Sequence, residues 1–165
     1  MQRFTGKHIV VTGAAAGIGR ATAERIASEG GMVFCLDVSE AGLTETVESI
    51  NKAGGIAHWA LCDVGNLETI QIAIKAALDT MGSLDVLVNV AGVIKMQNFE
   101  RSTDDNWHRI IGINLTGTYW MCRECIPYLL ASKGNIVNVS STSAIRGLPW
   151  GAAYAASKGG VSALT

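Results

Sequence analysis

An α/β fold, with one parallel sheet covered by helices on both faces, is what this 165-residue sequence predicts. Three observations predict it. Short, continuous apolar runs recur along the chain, amphipathic segments of helical period separate them, and glycine-rich turns join the two, with 19 Gly against 2 Pro. Strands buried on both faces read as unbroken apolar runs. Repeated strand–helix–strand units impose right-handed crossovers and hence a parallel sheet. The length suits one domain with its own core, and no linker, low-complexity tract or charge block divides residues 1–165.

The elements follow in order. "HIVV" is the first strand, and "TGAAAGIGR" turns directly from it into the first helix, which Gly30 stops. "MVFCLD" is the second strand. Leu43, Val47 and Ile50 mark the buried face of the second helix, ended by Gly54. "IAHWALCDV" is the third strand, and Leu67, Ile70, Ile74, Ala77, Leu78 and Met81 line one stripe of the third helix. "LDVLVNVAG" and "NIVNVS" are the fourth and fifth strands, and a last helix begins near Ala152.

Composition excludes several function classes. A formal net charge of -1 leaves no basic surface for general nucleic-acid binding. The amino-terminal apolar run is too short for a signal peptide, and no stretch approaches the ~18–20 apolar residues of a membrane span. The expectation is a soluble cytoplasmic protein. Without an export signal, the four cysteines (Cys35, Cys62, Cys122, Cys125) are expected to be free. The spacing of Cys122 and Cys125 imitates half a zinc site, but His58 and Cys62 do not supply a matching second half, so helix packing and no metal are expected.

The first turn carries the first chemistry. A dinucleotide's pyrophosphate needs backbone N–H groups and the positive end of a helix, with no side chains in the way. Gly13 makes the turn, Gly17 allows close approach, and Gly19 lets the helix pack on the sheet. A strand before and a helix after are the context that gives this glycine spacing meaning. Asp37, at the end of the second strand, can accept hydrogen bonds from both adenine-ribose hydroxyls and would repel a 2′-phosphate. Ala14, Ala15 and Ala16 offer that phosphate no basic group, so NAD is expected rather than NADP.

"TGAAAGIG" departs from the ordinary dinucleotide spacing and resembles the pattern of the short-chain dehydrogenase/reductase family. The resemblance extends over residues 5–165, with several motifs in order. It implies a Rossmann-type sheet of strand order 3-2-1-4-5 and a cofactor site that includes Ile18 with the three glycines. "LCDV" looks like the family's adenine-contacting segment, which implies Asp63 beside the adenine amine and Val64 along its ring. "NVAG" is similar to the family's "NNAG", with Asn89, Ala91 and Gly92 matching and Val90 departing from the second Asn.

The resemblance also implies a catalytic set. Tyr154 and Lys158, four residues apart, project from one face of the last helix. Ser141 lies thirteen positions before Tyr154, as in the family's active-site pattern. An alcohol oxidised by hydride transfer must lose its hydroxyl proton, and Tyr154 would take it as general base. A tyrosine ordinarily keeps its proton up to about pH 10, so work near neutrality calls for a cation beside it. One ammonium about 4 Å away, at an effective dielectric of about 20, contributes about 4 kcal/mol. Lys158 would be that cation and, by resemblance, would also grip the nicotinamide ribose. Ser141 would hold the substrate oxygen. Asn114 shares a helical stripe with Trp107, Ile110 and Ile111, where an apolar residue is expected and a polar one costs energy unless satisfied. The resemblance makes it the residue that holds a water beside the Lys and completes a proton relay.

"VIKMQNF" and "TSAIRGLPWG" are expected to border a small alcohol or carbonyl substrate, and Ile94, Met96, Leu148 and Trp150 make that border mainly apolar. Arg146 is available to a substrate carboxylate, although a solvated loop Arg explains it as well. By resemblance, two more strands and a substrate-covering loop would follow Thr165, so the chain is expected to be incomplete at its carboxyl end and its complete form to be a homo-oligomer, dimer or tetramer. Two functions remain open: an NAD-dependent dehydrogenase, or a truncated, catalytically silent nucleotide-binding module or assembly partner. An NADP-dependent 3-oxoacyl carrier reductase is disfavoured by Asp37.

Overall fold

A computed structural model describes residues 2–165; of the domain expected over 1–165, residue 1 lies outside the described residues. Five parallel strands form the sheet: β1 (His8–Thr12), β2 (Met32–Asp37), β3 (Ile56–Leu61), β4 (Val86–Asn89) and β5 (Asn135–Asn138). Their order is β3-β2-β1-β4-β5, as the family resemblance implies. The reversal of winding falls between β1 and β4, where Val10 lies opposite Leu87. A crevice at the carboxyl ends of these two strands is where doubly wound sheets bind ligands.

Helices α1 (Gly17–Ser28) and α2 (Glu40–Lys52) cover one face, and α3 (Leu67–Met81) with α5 (Gly117–Ser132) the other. Two apolar layers result. Ile9, Val11, Val33 and Cys35 point to the first, with Ala23, Leu43 and Ile50. Val10, Phe34 and Leu36 point to the second, with Ile70, Ile74 and Met121. The alternation of β1 and β2 residues between the layers is the period-two geometry of a strand. Gly30 and Gly54 follow α1 and α2 in left-handed conformation (φ 89° and 86°), which is why the helices stop where the sequence indicates.

The strands are not equally covered. β1 and β2 are buried almost throughout, whereas β3 and β5 alternate between covered and open residues. Both are sheet edges, so reading all five runs as doubly buried overstates the two outer ones. Helix α4 (Asp104–Ile111) continues through a π-helical turn, Gly112–Thr116, into α5. A short α6 (Ser143–Arg146) packs on α7 (Ala152–Leu164). Among the described residues, no helix is long and apolar enough to cross a membrane.

Candidate active site

The carboxyl ends of β1, β2, β4 and the segment after β3 surround a cleft of about 600 Å³, within the ~300–1,000 Å³ usual for small-molecule sites. Gly13, Gly17, Ile18, Gly19, Asp37, Asp63, Val64, Ala91 and Gly92 all line it. Gly13 has φ 69°, and a Cβ on Gly19 would overlap the Gly13 carbonyl oxygen, so the turn closes only with glycine at both places. Ala16 precedes α1 without a side-chain cap, and the first turn of α1 carries no acidic residue. Its free N–H groups and dipole therefore face the cleft unneutralised, an environment suited to an anion.

Asp37 is fixed by its own backbone surroundings. Its Oδ1 accepts from the N–H groups of Val38 (2.7 Å) and Ser39 (3.1 Å), and Oδ2 from that of Ala15 (3.2 Å). Asp63 is held through Oδ1, which accepts from Gly65 N–H at 2.8 Å. Both carboxylates are thus oriented into the cleft without an ion-pair partner among the described residues. Asn89 does not line the cleft. It is buried under it, donating to Asn138 Oδ1 (2.9 Å) and Cys122 Sγ (3.4 Å). Val90, the departure from the family pattern, lines the cleft and also packs against the core.

Two of the catalytic candidates, Asn114 and Lys158, meet beside Gly92 at the end of this cleft. Lys158 is 5% exposed; its Nζ donates to the Val139 carbonyl (2.7 Å) and stands 6.0 Å from the centroid of the Tyr154 ring. Burial pushes the Lys158 ammonium below the usual lysine range. A Cβ on Gly92 would sit 3.3 Å from Asn114 Oδ1 and 3.5 Å from Lys158 Nζ. Gly92 thus keeps open the space where cleft, amide and ammonium converge. Ser141 accepts from Ser143 N–H and donates to Ser143 Oγ, both 3.2 Å. No hydrogen bond joins Ser141 to Tyr154 among the described residues; α6 packing on α7 is what brings their segments together.

Asn114 is fully buried at the centre of the π-helical turn. Its Oδ1 accepts from Val93 N–H (2.8 Å), and its Nδ2 donates to the Val93 carbonyl (2.9 Å) and to Ser157 Oγ (3.0 Å). Ser157 in turn donates to the Tyr154 carbonyl (2.7 Å). The amide therefore ties the loop after β4 to the helix that carries Tyr154 and Lys158. The apolar stripe expected around it is only partly present, since Trp107 is exposed while Ile110 is buried.

Three side chains at the site escape sequence reasoning. Thr12 Oγ1 accepts from the N–H groups of Val90 (3.0 Å) and Ala91 (3.1 Å), joining the ends of β1 and β4. Ser140 Oγ donates to the Lys158 carbonyl at 2.9 Å. Arg109 lines the cleft from α4. A threonine before a glycine turn and a serine beside another serine carry no signal until strand register brings their partners near.

All four thiols are free and buried. Burial pushes Cys35 and Cys125 up to about 12 and Cys62 to about 11. Among the described residues no group of three His, Cys, Asp or Glu side chains could hold a metal ion.

A family model described as short chain dehydrogenase matches residues 7–165. The chain belongs to the short-chain dehydrogenase family. It is similar to a 3beta-hydroxysteroid dehydrogenase of Mediterraneibacter gnavus, 40% identical over 100% of this chain and 60% of the relative. A 3beta-hydroxysteroid dehydrogenase 1 of Eggerthella lenta is likewise 40% identical, over 97% of this chain and 62% of its own. The chain thus spans about 60% of the length of the curated relatives it matches. A crystal structure of a short chain dehydrogenase from Mycobacterium smegmatis superposes with a TM-score of 0.96 at 35% identity, covering all of this chain and 70% of that one. Short-chain dehydrogenases use NAD(H) or NADP(H), and the cleft described above fits a dinucleotide: open N–H groups, a glycine turn and an oriented carboxylate at the second strand.

Proposed function

We propose that this chain carries the dinucleotide-binding and catalytic part of an NAD-dependent dehydrogenase that interconverts a small alcohol and its ketone. The observation that carries the reading is the meeting of Lys158, Asn114 and Gly92 at the end of a cleft built around Asp37 and the α1 N-terminus. A nicotinamide cofactor bound there supplies the hydride acceptor or donor. Gly13, Gly17, Ile18 and Gly19 hold its pyrophosphate, Asp37 its adenine ribose, and Asp63 with Val64 its adenine. Asn89 anchors the end of β4, through Asn138 and Cys122, ahead of Ala91 and Gly92.

The residues of the chain manage the proton. Tyr154 takes it from the substrate hydroxyl in oxidation and returns it in reduction, while Ser141 holds the substrate oxygen. Lys158, with its Nζ 6.0 Å from the centroid of the Tyr154 ring and one donor held by the Val139 carbonyl, is the cation beside the tyrosine and offers its remaining donors to the ribose. Asn114 acts through others: its amide fixes Val93 and Ser157 and thereby the spacing between the cleft and α7. The complete protein is proposed to be a cytoplasmic homo-oligomer, and the names of its relatives place hydroxysteroids among the alcohols to try.

The test is Tyr154→Phe. Turnover of a panel of secondary alcohols is expected to fall at least about 10²-fold, the lower bound for general acid–base catalysis, with NAD affinity and thermal midpoint unchanged. Retention of most of the turnover would remove Tyr154 from the reaction. Tighter binding of NADP than NAD by the unaltered chain would overturn the cofactor assignment.

A further inference from the structure

Arg109 is the only cation among the residues that line the cleft, against two carboxylates, Asp37 and Asp63. It pairs with neither. Among the described residues its guanidinium has no ion-pair partner, and the residue is exposed. A basic residue in the last turn of a helix is ordinarily explained by the helix dipole. That explanation does not reach Arg109, because α4 has no free carboxyl-terminal end. Gly112 keeps a right-handed helical backbone, and the chain runs on through the π-helical turn into α5.

Ile113 sets the place of Arg109 along the cleft. The two residues are one helical turn apart and line the same cleft, so they form one strip of its wall. Ile113 lies against the segment after β3: a Cβ on Gly65 would stand 3.3 Å from Ile113 Cγ1. Gly65 N–H is the group that holds Asp63 Oδ1, at 2.8 Å. Asp63 and Val64 are the residues assigned to the adenine, so this strip of wall belongs to the adenine end. Arg109 continues it outward, exposed where Ile113 is half-buried. The pyrophosphate has donors of its own, in the glycine turn and the uncapped start of α1.

We propose that Arg109 is a further cofactor-binding residue, whose guanidinium lies flat over the adenine ring of the bound dinucleotide and closes the outer side of the cleft. The inference rests on the dinucleotide reading of the cleft. A guanidinium is planar and weakly hydrated, and it stacks on aromatic faces where an ammonium stays in water. The adenine is the flat aromatic group that a dinucleotide brings to this end. With no protein carboxylate to leave, the guanidinium reaches the ring without breaking an ion pair. Such contacts strengthen binding by about two- to fivefold at an exposed site, and by more as the ring excludes water.

The probes are NADH and reduced nicotinamide mononucleotide, which lacks the adenine half, titrated calorimetrically into the full chain. Arg109→Ala removes the guanidinium, and Arg109→Lys keeps the charge without the plane. Both introduce good helix formers at an exposed position, so the fold is retained. The expected result is an NADH Kd about three- to tenfold weaker in Arg109→Ala and at least about twofold weaker in Arg109→Lys, with the mononucleotide Kd unchanged in both. A loss below about threefold in Arg109→Ala would overturn the proposal. Recovery to within about twofold of the parent in Arg109→Lys would do the same, by showing that charge alone suffices. An equal loss for the mononucleotide also overturns it, since the guanidinium would then act on the other half of the cofactor. Where the mononucleotide binds too weakly to titrate, Arg109→Lys decides. The dinucleotide reading fails separately, if the unaltered chain binds neither NADH nor NADPH.

Discussion

Replacing Thr12 by valine tests how the two halves of the sheet are joined beneath the cleft. Valine matches threonine in shape, so the substitution opens no cavity, yet it leaves the N–H groups of Val90 and Ala91 without the oxygen that now accepts from them at 3.0 and 3.1 Å. An unsatisfied buried donor costs about 1–3 kcal/mol. Thr12 is 1% exposed, while Val90 and Ala91 are only partly buried and can recover some hydration. The expected loss is therefore about 2–4 kcal/mol for the pair, a fall in thermal midpoint of roughly 5–12 °C for a chain of this size. Thr12→Ser keeps the oxygen and loses one methyl, which costs about 0.5–1.5 kcal/mol. Urea unfolding at unchanged m value gives both numbers. Because Ala91 and Gly92 line the cleft, dinucleotide affinity should fall with Thr12→Val and not with Thr12→Ser. A Thr12→Val chain within ~0.5 kcal/mol of the parent, or one no worse than Thr12→Ser, would refute this reasoning.

Two further outcomes are expected. Asp37→Asn can keep an Oδ1 acceptor for the Val38 and Ser39 N–H groups, gives up the bond from Ala15 N–H and removes the charge, so the preference for NAD over NADP should drop about tenfold or more, ~1.4 kcal/mol. A ratio of dissociation constants unchanged by Asp37→Asn would show that the carboxylate does not discriminate. Glu29, held by hydrogen bonds from Arg3 and then Arg25, has its carboxyl lowered from 4.5 to about 2. A carboxylate depressed in the folded state stabilises fully above its unfolded value and loses that contribution as pH falls toward the folded one. The stability gap between the parent and Glu29→Gln should therefore be constant above about pH 4.5 and shrink between there and about pH 2. Parallel denaturation curves of the two chains across that window would contradict the ion cluster.

Much of this architecture is legible in the sequence because it is set by local rules. Continuous apolar runs mark β1 and β2, the stripe from Leu67 to Met81 marks α3 residue for residue, and left-handed glycines mark helix ends. The glycine turn is readable for the same reason, since its spacing and flanking elements lie within a few residues of one another. What escapes depends on partners distant in sequence. Thr12 acts on residues 78 and 79 positions away, and Asn114 on Val93 and Ser157, 21 and 43 away. Asn114 is conspicuous as a polar residue in an apolar stripe, but its neighbours are set by packing. The exposure of β3 and β5 is a property of sheet order, not of their composition.

The π-helical turn at Gly112–Thr116 has a consequence for what changes of length the chain tolerates. Buried residues along this helix recur every four positions: Asn106, Ile110, Asn114, Thr118 and Cys122. In an undistorted α-helix each step of four drifts about 40° around the axis, about 160° over the four steps, and would carry Cys122 to the opposite side from Asn106. The wide turn acts as a phase correction, taking up about one residue, or ~100°, of that drift. One rod can then face α7 with its first half and α3 with its second. Loss of a single residue between 112 and 116 would let the backbone relax to a regular helix with the side chains beyond it near their present phase, because about fifteen regular steps turn through the same ~1,500° as the present sixteen. A one-residue deletion is thus the length change that this stretch accommodates in phase, whereas one more inserted residue would turn everything beyond it by about 100°.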